Sequence, residues 1–389
     1  MEQTNLLIIH GGAPTAVINA SLFGAIMQAK RQPEIRHIYG ALGGSLAAAR
    51  GEFIDLGAVE EEKLRLLPSS PSSAIGTSRD HLEPQDYEAI AKTVAERGVG
   101  IVCFNGGNGS MDACGKVYAA CQKLGVQVRV VGIPKTMDND IAVTDHAPGY
   151  GSAARYMAAS VAEVCCDVRG LPIHIAVVEA MGRSAGWVAA ASALAEESGA
   201  GGPDLIYLPE RPFEEERFLS DVQGLIARKG CGVVVASEGL HYQDGTPIVE
   251  PIMTVGRATY FGDVGAHLAN LIIRRLGYKA RSEKPGILGR ASIAWQSAAD
   301  REEAVLAGQE AVRAAAAGQT GVMVGFERIS DEPYAVKTVL IPIEQVMLTE
   351  KTLPDAFINA EGNGVTEAFK RWCRPLVGPL PPFVSFRKD

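Results

Sequence analysis

No apolar run in this chain approaches the ~20 residues that a membrane-spanning helix needs. The first, LLII at 6–9, follows an acidic residue and is too short for the core of a secretory signal. The seven cysteines (Cys103, Cys114, Cys121, Cys165, Cys166, Cys231 and Cys373) form no CxxC pair and have no zinc-like spacing. Their odd number and scatter suit a reducing compartment, where they serve as core or surface thiols. Low-complexity tracts and short-period repeats are lacking, and so is an excess of positive charge. Lys and Arg number 37 against 45 Asp and Glu, a net charge of -8 that disfavours nucleic acid or an anionic membrane surface as a partner. Any anionic substrate must therefore be held by local basic groups, and a cytoplasmic location is expected.

What remains is an ordinary globular composition. With 389 residues, 47% of them hydrophobic and 21% charged, the chain can bury a large core, and at roughly 150 residues per domain two or three domains are expected. LLIIH (6–10), GIVCF (100–104), VQVRVVGI (126–133), IHIAVVEA (173–180), GVVVAS (232–237) and VMVGFE (322–327) read as strands. Phe218, Val222, Leu225 and Ile226 lie at helical spacing, as do Ile90 and Val94, and the Ala-rich 301–317 favours helix. The alternation is the βαβ rhythm of a mostly parallel α/β sheet.

Four strands run into unusual turns: HGGAPTAVINA (10–20), NGGNGSMDA (105–113), PKTMDND (134–140) and MGRSAGW (181–187). None fits GxxxxGK[ST] or a GxGxxG fingerprint with its following acidic residue, so Walker-type and Rossmann oxidoreductase readings lose their main support. A glycine pair in one such turn can serve only a positive φ or a helix cap. Glycines at strand ends also expose backbone N–H groups and let a phosphate approach a helix N-terminus. PKTMDND is placed at the C-terminal end of a strand, where ligands bind in open α/β sheets. An Asp-Asn-Asp string is equally the composition of a cap or Asx-turn, and residue chemistry alone leaves both open. LPSSPSSAIGTSRD (67–80) reads as a surface loop ending near Arg79.

Taken in order, GGAPTAVINA, the GTSR loop, GGNGS, PKTMDND, MGRSAGW and GILGRASIAWQSAAD resemble the phosphofructokinase family over roughly residues 5–330. The ending FINAEGNGVTEAFKRWCRPLVG (357–378) and PTAVINAS (14–21) look like the pyrophosphate-dependent branch. The resemblance implies two α/β lobes of mostly parallel sheet flanked by helices, with the active site between them. The first lobe is expected at 1–150 with a returning segment near 286–330, the second at 151–285, and a C-terminal extension at 331–389.

It also implies roles, residue by residue. Asp138 matches the general base that takes the proton of the attacking sugar hydroxyl. Asp140 matches a second carboxylate beside the metal–phosphate complex, with Asn108 as the other implied Mg²⁺ ligand. Thr136 would bond the phosphoryl group in transfer, Lys135 would neutralise charge on the leaving phosphate, and Arg183 would stabilise the moving group. Gly11, Gly12, Arg79, Gly107, Asn108, Gly109 and Ser110 would cradle the donor, Gly12 by its backbone N–H. Met181, Gly182 and Glu238 would line the sugar site. His174, Arg281 and Arg290 match positions that hold the sugar's 6-phosphate, in part across a subunit boundary, so a homodimer or homotetramer is implied.

Several positions depart from the family pattern. Asn108 stands where ATP-dependent members usually carry aspartate, a neutral oxygen in place of a charged one. Gly109 stands where pyrophosphate-dependent members commonly have an aspartate that excludes a nucleotide, yet Lys135 replaces the glycine of bacterial ATP-dependent members. Ile287 and His174 replace two of the four expected phosphate donors, which weakens phosphate recognition. The sequence thus reads as a phosphotransferase from pyrophosphate, slightly favoured, or ATP to the C1 hydroxyl of fructose 6-phosphate. A same-fold kinase for another sugar, sugar phosphate or polyol is the alternative. A non-catalytic regulatory paralogue is disfavoured by the presence together of Asp138, Asp140 and Arg183.

Overall fold

The computed structural model describes residues 3–172, 174–199, 201–255 and 258–386. Along the chain the strands are β1 (Thr4–His10), β2 (Ile35–Ala41), β3 (Phe53–Asp55), β4 (Val99–Gly106), β5 (Arg129–Pro134) and β6 (Ile175–Ala180). They continue as β7 (Leu205–Tyr207), β8 (Gly232–Ser237), β9 (Pro251–Val255), β10 (Ala258–Phe261), β11 (Ala280–Glu283), β12 (Val322–Asp331) and β13 (Tyr334–Pro342). The chain divides into two compact units, Met1–Ser152 with Arg290–Lys351, and Ala153–Gly289 with Thr352–Asp389.

The first unit is built on a seven-stranded sheet of order β13-β12-β5-β4-β1-β2-β3, parallel except at its two edges, where β3 and β13 run antiparallel to their neighbours. Its central strands are buried on both faces. Leu7 and Ile9 join one apolar cluster with Val102, Phe104 and Ile90, while Leu6 and Ile8 join another with Ile101, Cys103 and Val312. A strand covered by helices on both sides has no polar face to show, which is why it reads as an unbroken apolar run. Each fully buried aliphatic side chain contributes roughly 1.5–3 kcal/mol, and the two clusters fix the strand ends where the polar turns emerge. Helices 18–29 and 298–316 cross closely because a Cβ on Gly24 would come within 2.0 Å of the Val305 carbonyl oxygen, and one on Gly308 within 2.0 Å of that of Ser21.

The second unit carries a four-stranded parallel sheet, β11-β6-β8-β7, and the β9–β10 hairpin. Phe218, Val222 and Leu225 of helix Glu215–Lys229 are buried as their spacing predicts. Three expectations need correction. Strand β5 starts at Arg129, not 126, because the helix before it ends on Gly125 at φ 67° and the Val126 N–H closes back on the Cys121 carbonyl at 2.9 Å. Strand β6 starts at Ile175, His174 precedes it, and residue 173 lies outside the described residues. Strand β12 runs on to Asp331 because β13 pairs along it, so residues 331–389 are no single extension: 334–342 complete the first sheet. The Ser/Pro-rich 67–80 stretch is a surface loop as expected, and it is anchored: Ile75 is buried and the Asn19 side chain bonds the backbone of Ser70, Ser72 and Ala74.

Candidate active site

The turn after β1 is defined by glycine at two positions. Gly12 has φ 76°, in the left-handed region, and a Cβ on Gly11 would lie 2.2 Å from the Ser110 hydroxyl. This close approach joins the first glycine turn to the start of helix Asn108–Leu124, whose N-cap is Gly107. The first turn of any helix has N–H groups without intrahelical acceptors, and the dipole there favours anions. One expected donor is already engaged: the Gly12 N–H bonds the Ser78 carbonyl at 2.8 Å, and the Thr77 hydroxyl donates to the Gly12 carbonyl at 2.7 Å. Gly12 therefore pins the 67–80 loop, which carries the exposed Arg79 toward the turn, instead of presenting its own N–H to a phosphate.

His10, fully buried at the end of β1, helps to seat the same loop. Its Nδ1 lies 2.7 Å from the Ser73 hydroxyl, which donates to the Gly76 carbonyl, and the Asn105 amide lies 3.3 Å from Nε2. Burial, with the nearby Lys135 charge, lowers its pKa to about 3. The imidazole is thus a neutral strut.

Lys135, 2% exposed, donates to the Ala13 carbonyl at 2.7 Å, beside Gly12. Desolvation lowers its pKa to about 8, while Asp138 and Asp140 pull it up and Arg79 and Arg290 push it down. Two further cations and two carboxylates of the first unit thus act on Lys135. The Thr136 hydroxyl donates to Asp140 Oδ1 at 2.8 Å and accepts from the Asp138 N–H at 3.1 Å. Asn108 Nδ2 donates to Asp140 Oδ2 at 2.9 Å and to the Asp140 carbonyl at 3.1 Å. Asn139, between the aspartates, holds φ 52° and is fully buried. The next helix begins only at Tyr150, so Asp138-Asn139-Asp140 is no helix cap.

Asn108 Oδ1 is buried without a hydrogen-bond partner, next to a carboxylate. An orphaned buried oxygen beside Asp140 fits a hard cation, although the protein offers few ligands: among the described residues no cluster of three or more His, Cys, Asp or Glu side chains is assembled for a metal. Mg²⁺ binds through one or two protein oxygens plus phosphates and water, and this set agrees with that habit.

In the second unit, Met181, Gly182 and Arg183 follow β6. Gly182 has φ 142° and Arg183 φ 47°, and Glu238 Oε1 accepts from the N–H groups of both, at 3.2 and 3.3 Å. Glu238 thereby orients the loop that presents Arg183. Glu210, which the sequence pattern does not single out, accepts at 2.8 Å from the Gly186 N–H at the other end of this loop, and burial raises its pKa. His174 and Arg281 come together, away from that loop's contacts, in a cavity of about 440 Å³ shared with Glu163, Asp167, Glu283 and Lys284. His174 is buried and its Nδ1 is unpartnered. Arg290 belongs to the first unit and Ile287 is 67% exposed in the second, so the four positions matched to the 6-phosphate do not form one cluster within either unit. Among the described residues no helix is long and apolar enough to cross a membrane.

The phosphofructokinase family model matches residues 5–315. A pyrophosphate–fructose 6-phosphate 1-phosphotransferase of Xanthomonas campestris is 37% identical over all of this chain and 97% of its own length. A sulfofructose kinase of Alkalicoccus urumqiensis is 31% identical over 96% of this chain and 95% of its own. Among solved structures, a pyrophosphate-dependent phosphofructokinase from Nitrosospira multiformis superposes with a TM-score of 0.89 at 34% identity, over 100% of this chain and 95% of that one. Glycine turns, a Lys-Thr-x-Asp-x-Asp loop and full-length likeness in both sequence and structure agree: this chain belongs to the phosphofructokinase family.

Proposed function

We propose that the protein transfers a phosphoryl group from pyrophosphate to the C1 hydroxyl of fructose 6-phosphate. The observation that carries this reading is the Lys135-Thr136-Asp138-Asp140 loop, set against the Asn108 helix start and the Gly11-Gly12 turn. Asp138 accepts the proton of the C1 hydroxyl as that oxygen forms its bond to the terminal phosphorus. The bridging P–O bond breaks, and orthophosphate leaves. Lys135, still largely protonated at neutral pH with a pKa near 8, offsets the charge that builds on the leaving phosphate. Thr136 positions the transferring group, and Arg79 and Arg183 supply further positive charge. Mg²⁺ held by Asn108 and Asp140, when bound, would neutralise charge on the donor phosphates.

Support for pyrophosphate as donor comes from Lys135 and from the full-length relatives named for that donor. Gly109 leaves ATP open as an alternative, since its side-chain position is empty space to 4 Å. A second reading concerns the acceptor. The cavity that holds His174 and Arg281 also carries Glu163, Asp167 and Glu283, a poor environment for a dianionic phosphate by itself, and a full-length relative is named for sulfofructose. A sugar with another 6-substituent is therefore the runner-up. The resemblance further makes a homodimer or homotetramer the expected assembly. The test is a crossed assay of pyrophosphate, ATP and ADP against fructose 6-phosphate, other sugar phosphates and free polyols with Mg²⁺. Fastest turnover with pyrophosphate and fructose 6-phosphate is expected, and a folded protein inactive in every combination would falsify the reading.

A further inference from the structure

Lys351 is 207 residues from Thr144 in sequence, yet it is built into the loop that follows the two aspartates. Its backbone N–H bonds the Asp140 carbonyl at 2.8 Å, and Glu350 beside it forms an antiparallel bridge with Ile141. Its ammonium donates to the carbonyls of Thr144 at 2.9 Å and Asp145 at 2.8 Å, with the Asn139 side-chain oxygen at 3.5 Å. An ammonium has three donors and no acceptor, so these three oxygens match its capacity. The loop needs such a clamp. It contains no helix or strand between Pro134 and Tyr150, and Asn139 and Val143 both hold positive φ, at 52° and 68°, which L side chains rarely adopt. Backbone of that kind persists only where surrounding bonds over-determine it.

We infer that Lys351 is a positioning residue for the phosphoryl-transfer loop: its main chain and ammonium together fix the turn at 139–145, which carries Asp140 and directly follows Asp138. The inference rests on the reading of those aspartates as the reacting and metal-side carboxylates. This clamp lies beside the Asp145 and Asp140 carboxylates. Its geometry also explains why a lysine is needed. An ammonium on a flexible stem can meet three diverging carbonyl-type oxygens, whereas a planar guanidinium directs its donors in a fixed fork.

The experiment measures two quantities on Lys351→Met and Lys351→Gln in the full chain: steady-state kinetics with pyrophosphate and fructose 6-phosphate, and amide hydrogen exchange. Positioning predicts a fall in kcat on the order of 10²-fold with KM for both substrates within about threefold, because no contact to bound substrate is removed. It also predicts exchange at least about tenfold faster for amides of 138–147, with β1 and β4 as protected as in the unaltered protein. The exchange readout needs no substrate, so failure of the substrate assignment and failure of this inference are distinguishable. Unchanged exchange in 138–147, or kcat within twofold of the unaltered enzyme, overturns it. Loss of protection throughout the first unit in both variants also overturns it, since Lys351 would then support the whole sheet rather than the loop.

Discussion

Asn108 and Asp140 are joined side chain to side chain at 2.9 Å, from the first residue of one helix to the end of the Lys135–Asp140 loop. The amide lets a neutral donor face a carboxylate, and leaves its own oxygen buried and unpaired. The pair is stable without a cation, yet it offers two oxygens to one.

Replacing Asn108 by Asp changes that balance. Two carboxylates at this distance repel, so Asn108→Asp lowers stability in metal-free buffer by on the order of 1 kcal/mol or more. Mg²⁺ should then raise its thermal midpoint by more than it raises that of the parent. Thermal unfolding with and without Mg²⁺ measures both. A Mg²⁺ shift no larger in the variant removes Asn108 and Asp140 from the metal site.

A Cβ placed on Gly109 would meet no heavy atom within 4 Å, so an aspartate fits there without strain. Gly109→Asp is expected to reduce kcat/KM for ATP by at least about 10²-fold while leaving pyrophosphate within about threefold, through a charge aimed at the extra phosphates. Equal loss with both donors would show that the position does not discriminate.

His146 is buried between two carboxylates, Nδ1 to Asp145 at 2.8 Å and Nε2 to Glu303 at 2.6 Å, with Tyr334 bonded to Glu303 and Arg328 to Asp145. Burial works against the charged ring, but the two carboxylates outweigh it and the pKa is raised. A raised folded pKa contributes stability that is fully present below the ordinary histidine value and is lost as pH rises through the folded value. Lys135 and Lys351, both lowered to about 8, give the opposite slope, so the difference between proteins is the readout. His146→Gln should lose stability against urea at pH 6 relative to the parent, and the gap should narrow toward pH 9. A gap that does not change with pH contradicts the charged-ring assignment.

Much of this site was legible because it sits at strand ends. The apolar runs that became β1, β4 and β8 announced themselves, and the turns after β1, β4, β5 and β6 are unusual enough in composition to be read directly. What could not be read was pairing at long range. Lys351 lies in an ordinary LTEKTLP stretch, and only folding brings it to Asp140. Strand β13 was missed since only Ile341 along it is buried, and such a strand carries less signal than a buried parallel one. The Gly12 N–H was misjudged for the same reason: its acceptor, the Ser78 carbonyl, belongs to a loop whose anchoring by Asn19 and His10 no local pattern reveals.

The most direct test is the turnover of pyrophosphate with fructose 6-phosphate by the protein and by Asp138→Ala, followed as orthophosphate release. Asp138 lies in a loop, and the bond from its backbone N–H to the Thr136 hydroxyl is retained in the alanine variant. General-base catalysis typically contributes 10²–10⁴-fold, and kcat should fall by at least about 10²-fold with the thermal midpoint little changed. A variant that turns over at a near-parental kcat would contradict the assignment of Asp138 as the base.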